Sequence, residues 1–462
     1  MNIWLPTVSL HSLVIVVSIL TYILTTRAER VRRPPSIAIA WVLGMIALPY
    51  LTLPMYLMFG RRKLLRKPMR HSGARPAERH WAKDLIESFG LPPSSPAPIA
   101  MHQDGTDSAA ALFATMSSAV SRLDICTFIL GDDAFGREAM QHMIARARSG
   151  VDVRLLLDGV GAIQLPKACF RTLQLGGVET AIFSPLFARK TQGPRNLRNH
   201  RKMVIADGTR LWAGGRNLAA EYFSGLAGEP PWLDLTFDLQ GPVASAAALQ
   251  FEFDWVAAGG KPASGGVAAA AAVAVGAVGA ATGTVSEAQF LPSGPDQSED
   301  TVHSLLIDAC FHARERMLAV TPYFVPDVSL ETAMRLAARR GVQIDLCIPA
   351  SSNHRLADFA RNRALRSLSQ AGVNVHLLPY MSHAKAVVFD DTLGLAGSVN
   401  LDSRSLLLNY ECAVVFYGRR EIDWLASWME ALISETAPFD CRRPSLLRDL
   451  GEGLLLTVAY QL

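Results

Sequence analysis

The 462-residue sequence predicts an α/β protein made of two copies of one unit, preceded by an N-terminal membrane segment of two hydrophobic helices. Three observations predict this. One motif of five fixed residue types occurs twice, the order of helix-like and strand-like stretches around it occurs twice, and the N-terminal segment is apolar almost throughout.

The motif runs from Arg198 to Asn217 (RNHRKMVIADGTRLWAGGRN) and returns from Ser382 to Asn400 (SHAKAVVFDDTLGLAGSVN). Both copies read His, one residue, Lys, four residues, Asp, six residues, Gly, a small residue, one residue, Asn. This gives His200, Lys202, Asp207, Gly214, Gly215 and Asn217, then His383, Lys385, Asp390, Gly397, Ser398 and Asn400. With each residue type at about 5% usage, one chance match in a chain this long has odds of roughly one in ten thousand. Two matches mean a duplication.

The flanking elements repeat in the same order. A helix-like SAAALFATMSSAVSRL, a strand DICTFIL, a helix AFGREAMQHMIARARSG and a strand VDVRLLLD precede the first motif. Ahead of the second come a helix TVHSLLIDACFHARER, a strand MLAVTPYF, a helix SLETAMRLAARRG and a strand VQIDLCIP, so Gly150 and Gly341 end equivalent helices. A further pair, GGVETAIF and AGVNVHLL, leads into the two motifs. The repeat unit is roughly 170 to 190 residues of alternating strands and helices, each around its own sheet. We expect lobes over residues 99–261 and 288–462, packed about a pseudo-twofold axis and joined by an Ala/Gly-rich linker over 262–287.

Half the residues are hydrophobic and 19% are charged, which is greasier than an ordinary soluble enzyme and asks for membrane segments. Leu5 to Thr26 carries no charge and is long enough to cross a ~30 Å hydrocarbon layer. Ser36 to Gly60 is a second apolar segment, but Pro49 and Pro54 interrupt it, so it either spans or re-enters. Arg27, Arg30, Arg32 and Arg33 follow the first segment, and a heavier run from Arg61 to Arg70 follows the second. Basic residues mark the cytoplasmic side, so residues 1–70 read as an anchor that holds the lobes on the cytoplasmic face of a membrane. A net charge of +4 is too mild to argue for nucleic acid. The six cysteines show no CxxC or Cys/His zinc spacing and read as reduced thiols.

The copies differ in length before the motif. From Val178 to His200 is 22 residues, against 10 from Val373 to His383. The 12 extra residues bring Arg189, Lys190, Arg195 and Arg198, readable as a solvated basic loop or as a headgroup-binding lip.

Alternation in HRKMVIAD and HAKAVVFD puts His and Lys on one face of a strand, while the residue between them points away. If the lobes meet, two His, two Lys and two Asn converge on one pocket. That donor set suits a phosphodiester: one imidazole attacks, the other protonates the leaving oxygen, and Lys202, Lys385, Asn217 and Asn400 hold the phosphate oxygens. No metal and no cofactor is implied.

These residues resemble the two HKD motifs of the phospholipase D superfamily, and the whole chain resembles the bacterial cardiolipin synthases within it. The phrases RNHRK, GGRN with EYFSG, LQFEFDW, PSGPD, TPYFVPD and GSVNLDSRSLLLNYE carry the likeness. The resemblance implies two phospholipase D-like lobes, with His200 as nucleophile and His383 as general acid and later base. It also implies that Asp234 and Glu411 bond the second ring nitrogens of the histidines, with Glu221 a rival to Asp234. Asp207 and Asp390 then belong to the catalytic motifs, with a structural role holding the turn and the lobe contact preferred over proton transfer. Many members carry Arg two residues before the position matching Asp234, where this chain has Trp232.

The implied reaction joins two phosphatidylglycerol molecules into cardiolipin through a phosphatidyl-histidine, with anionic lipids as partners and a bacterial plasma membrane as the location. A lipid hydrolase, or a transferase using another acceptor, is the alternative. A nuclease with the same chemistry and a lipid-binding protein are further ones, set back by the apolar N-terminus and by the duplicated histidines.

Overall fold

The computed structural model describes residues 10–29, 35–60, 80–185, 196–262, 285–442, 444–445, 448–449 and 451–453. In the first half the strands are β1 (Ser95–His102), β2 (Arg122–Thr127), β3 (Asp152–Asp158), β4 (Glu179–Phe183), β5 (Met203–Ala206), β6 (Arg210–Gly214) and β7 (Thr236–Gln240). The second half has β8 (Val285–Ser293), β9 (Arg316–Val320), β10 (Gln343–Pro349), β11 (Asn374–Leu378), β12 (Ala386–Phe389), β13 (Leu393–Gly397), β14 (Glu411–Phe416) and a short β15 (Ala437–Pro438).

All of these strands join one mixed sheet, in the order β15-β11-β10-β9-β12-β13-β14-β8-β1-β7-β6-β5-β2-β3-β4. Its centre is the antiparallel β1–β8 pair, Ser95 opposite Ala288 and Pro98 opposite Val285. Outward from that pair the two halves read alike, β1-β7-β6-β5-β2-β3-β4 against β8-β14-β13-β12-β9-β10-β11. In each half the outer three strands are parallel and the inner ones antiparallel. The two sheets expected from the sequence are therefore one continuous sheet, because the edge strand of each unit finds its hydrogen-bond partner in the other.

Helices α1 (Leu10–Glu29), α2 (Pro35–Ala47), α3 (Pro49–Phe59) and α4 (Trp81–Ser88) come first. The first half adds α5 (Gly105–Ser118), α6 (Ala134–Arg148), α7 (Lys167–Leu175) and α8 (Pro242–Ala257). The second half adds α9 (Thr301–His312), α10 (Val328–Arg339), α11 (Arg355–Ala371), α12 (Ser403–Leu407) and α13 (Arg419–Ile433). One core runs through both halves, with Phe251 and Trp255 of α8 and Leu425 and Met429 of α13 packed on the strands. Two further large cores lie one around α5 and α6, the other around α9, α10 and α11. Gly150 (φ +91°) and Gly341 (φ +96°) follow α6 and α10 in the left-handed conformation that glycine adopts without strain.

At the N-terminus the second apolar segment is two short helices. Leu48 leaves helical geometry (φ −138°, ψ 60°) and Pro49, with no N–H to donate, opens α3 at its first turn. Helices α1, α2 and α3 pack together around Tyr22, Met45 and Tyr56. Leu10, Leu13, Val16, Leu20, Leu43 and Leu51 remain exposed. Among the described residues no helix is long and apolar enough to cross a membrane, so the two expected membrane helices are described here only as three apolar ones. The basic runs, the side chain of Arg27 included, lie outside the described residues, as do Arg189, Lys190, Arg195 and linker residues 263–284. All six cysteines are free thiols.

Candidate active site

The two motifs form the β5–β6 and β12–β13 hairpins. His200 and Lys202, like His383 and Lys385, lie on the extended stretch just before each first strand rather than inside it. These stretches are held by the opposite half. The His200 N–H donates to the Tyr410 carbonyl (2.8 Å) and the Tyr410 N–H to that of Arg198 (2.8 Å). In the mirror arrangement, the His383 N–H donates to the Leu233 carbonyl (2.6 Å) and the Leu233 N–H to that of Met381 (3.1 Å). Each bridge sets a histidine beside the residue that follows in the other half, Glu411 or Asp234.

The side chains pair across the same seam. Nδ1 of His200 lies 3.0 and 3.1 Å from the two carboxylate oxygens of Glu411, and Nδ1 of His383 lies 2.7 Å from Oδ2 of Asp234. Burial works to raise both acids, but His200 holds Glu411 below the ordinary carboxylate range and His383 does the same for Asp234. An ionised carboxylate only accepts, so each Nδ1 carries the proton and each Nε2 keeps its lone pair. Lys385 Nζ also lies 2.8 Å from His383 Nδ1, but a protonated nitrogen cannot accept, and the ammonium bonds the His383 carbonyl instead. Lys202 Nζ donates likewise to the His200 carbonyl (2.8 Å).

Both lysines are buried, which pushes Lys202 down to about 8 and Lys385 to about 7. Burial lowers His200 as well, and it takes His383 down to about 3, with the charge of Lys385 adding to the fall. The Lys385 charge also reaches His200, and that of Lys202 reaches His383, so the two half-sites share one electrostatic field.

Glu411 is held from several sides. Ser398 Oγ donates to it at 2.5 Å, Ser405 Oγ at 2.6 Å and Asn409 Nδ2 at 3.4 Å. Asp234 accepts the Leu235 N–H (2.7 Å), and Gly215 stands where Ser398 stands in the other half; a Cβ there would collide with the Asp234 carboxylate. Sequence reasoning missed Arg201. Its guanidinium is fully buried, paired with Asp254 (2.5 Å) and Asp296 (3.1 Å), and its Nε donates to the Glu411 carbonyl (2.9 Å). The signal was available in the alternation that turns residue 201 away from the pocket, and in Asp254 and Asp296 within the LQFEFDW and PSGPD phrases.

Other expected site residues sit elsewhere or differently. Asp207 accepts the N–H groups of Val120, Ser121 and Arg122, each at 2.8 Å, and Asp390 accepts those of Arg314, Glu315 and Arg316. Both take φ +50° in the hairpin turn and tie it to their own half, so among the described residues neither bonds a histidine nor makes the expected lobe contact. Asn217 Oδ1 accepts the Ile129 N–H (3.3 Å), while Asn400 Oδ1 is buried with no hydrogen-bond partner among the described residues. Glu221 lies beside Tyr222, raised by burial, and Asp234 rather than Glu221 meets His383. Arg198 is no lip residue: it is buried against Asp158 (3.3 Å) and Ser184 (2.6 Å).

A duplicated α/β unit that faces two His–Lys pairs across one seam is the arrangement expected of the phospholipase D class. The family described as "Cardiolipin synthase, PLD-like domain" matches residues 112–227 and 306–433, and "Phospholipase D-nuclease N-terminal" matches residues 12–61. A cardiolipin synthase A of Pseudomonas aeruginosa is 30% identical over 96% of this chain and 94% of its own length. That of Pseudomonas entomophila is 28% identical over 90% of each chain. The crystal structure of a phosphatidylserine synthase from Haemophilus influenzae superposes with a TM-score of 0.61 at 14% identity, over 83% of this chain and all of its own. The chain belongs to the phospholipase D-like cardiolipin synthase family.

Proposed function

We propose that the protein transfers the phosphatidyl group of one phosphatidylglycerol to the free hydroxyl of another, releasing glycerol and forming cardiolipin. The observation that carries this reading is the crossed pairing, in which each half supplies a histidine and the carboxylate that orients the other half's histidine. Family membership supports a phospholipid such as phosphatidylglycerol as the substrate.

His200 Nε2 attacks phosphorus, the bond from phosphorus to the glycerol oxygen breaks, and His383 Nε2–H protonates that oxygen. The second lipid's hydroxyl then gives its proton to His383 as its oxygen attacks phosphorus, breaking the phosphorus–nitrogen bond and restoring His200. Lys202, Lys385, Asn217 and Asn400 bind the phosphate oxygens, where charge gathers. The low proton affinity of His383 without substrate fits this order, because a phosphodiester seated between the two ammoniums offsets their charge and lets the imidazole protonate. Asp207 and Asp390 act by holding the hairpin turns, and Glu221 takes no part in orienting a histidine.

The exposed apolar faces of α1, α2 and α3 seat the protein on the membrane where both lipids lie. The basic runs after each apolar segment support a cytoplasmic position for the lobes at the bacterial plasma membrane. Water at ~55 M competes for the intermediate, and orientation of the lipid hydroxyl can outweigh it with an effective molarity of about 10⁵ M.

The test is to incubate the full-length protein with vesicles of labelled phosphatidylglycerol and identify the products by mass. Cardiolipin with equimolar glycerol is expected. Phosphatidic acid as the dominant product would make the enzyme a hydrolase, and a product joined to another headgroup would reassign the acceptor.

A further inference from the structure

The two half-sites follow one backbone plan but are furnished with different chemistry. Five residues after the motif asparagine stands Ser405 in the second half and Tyr222 in the first; two residues before the orienting carboxylate stands Asn409 in the second half and Trp232 in the first. Ser405 and Asn409 donate to Glu411 and so support His200. Their counterparts place rings against His383 instead. The Tyr222 ring meets that imidazole edge-on with centroids 5.0 Å apart, the Trp232 ring lies 6.0 Å away, and the two rings meet each other at 5.1 Å.

Among the described residues His200 has one such neighbour, Phe128, at 5.2 Å. Its side chain is 14% exposed, against 5% for His383. The Trp232 backbone N–H donates to the Glu221 backbone carbonyl (2.8 Å), which closes the loop between the two rings and fixes them as a pair. The ring carbons turned to the imidazole offer water no hydrogen-bond partner, and the Tyr222 hydroxyl is engaged with the Asn217 side chain.

This difference bears on the second half-reaction of the proposed transfer, on which the inference rests. At that stage His383 Nε2 takes the proton from whichever hydroxyl attacks phosphorus, water's or the lipid's. We infer that Tyr222 and Trp232 are specificity-determining residues that keep water away from His383, so that the phosphatidyl group passes to a lipid hydroxyl. The same positions on the His200 side have no such duty and carry polar supports instead.

The experiment compares the full-length protein with Trp232→Ala, Trp232→Phe and Tyr222→Phe on phosphatidylglycerol vesicles in ¹⁸O-water. The readout is the ratio of ¹⁸O-labelled phosphatidic acid to cardiolipin, which a uniform loss of folded protein does not move. Trp232→Ala is expected to raise the ratio about tenfold, the scale on which a hydrophobic pocket discriminates. The ring-keeping variants, which guard against a folding defect in the alanine variant, stay within about twofold of the unaltered protein, a difference of roughly 0.4 kcal/mol. An unchanged ratio in Trp232→Ala, or an equal rise in Trp232→Phe, overturns the inference. If the unaltered protein makes no cardiolipin, the transfer reading falls and this one with it; if it makes cardiolipin and the ratio does not move, only this one falls.

Discussion

His200 and Glu411 are 211 residues apart in the chain and 3.0 Å apart in the fold, and they belong to opposite halves of the sheet. His383 and Asp234 repeat the relationship in reverse over 149 residues. Neither half is therefore a complete site. Glu411→Gln and Asp234→Asn should each lower kcat roughly 10²–10⁴-fold, the range for a mispositioned acid–base group, with a much smaller change in KM. Steady-state rates on phosphatidylglycerol vesicles check this.

The buried lysines set the alkaline limit. Lys385 at about 7 and Lys202 at about 8 are charged below those values and neutral above them, so the phosphate binding proposed for them should weaken as the pH rises. The rate at low phosphatidylglycerol should fall as the pH rises through about 7 to 8, the range in which these two lysines lose their charge. In Lys385→Arg, whose guanidinium keeps its proton, that limb should move to higher pH even where the maximal rate drops. The same shift has a consequence for stability. Between about 7 and the ordinary lysine value of 10.5 the folded chain binds fewer protons than the unfolded one, so these lysines add stability as the pH climbs through that window.

Asp207 and Asp390 are turn-holders, each accepting three backbone N–H groups. Asp390→Ala should cost about 1–2 kcal/mol of stability, while kcat per folded molecule stays within a few-fold. Thermal unfolding read alongside turnover separates the two effects.

Arg201 is the buried cation that ties the first motif to the second half, through Asp296 and the Glu411 carbonyl. Arg201→Met strands two buried carboxylates, Asp254 and Asp296, and should destabilise by about 3–5 kcal/mol. Arg201→Lys should recover little, since an ammonium cannot reproduce the forked contacts. Denaturant midpoints decide.

Much of this was legible in the chain because duplication prints each contact twice. The repeated motif gave both histidines and both lysines, and the repeated helices ended where Gly150 and Gly341 stand. The partner carboxylates were legible only through family resemblance, since no local pattern says that residue 411 lies against residue 200. The single sheet was hidden for the same reason: pairing of β1 with β8 depends on two edges separated by the whole first half. Arg198 misled because a basic residue in a basic stretch reads as surface, whereas the fold buries it on Asp158. Ser398 against Gly215 is one atom group in the sequence; its meaning appears only once Glu411 and Asp234 are seen beside them.

In the proposed reaction His200 and His383 form one composite site for phosphatidyl transfer. This is tested most directly by measuring cardiolipin formed from labelled phosphatidylglycerol by the unaltered protein, by His200→Ala, by His383→Ala and by the double variant, each shown to be folded. Cardiolipin is expected from the unaltered protein alone. Cardiolipin synthesis by the double variant would contradict it.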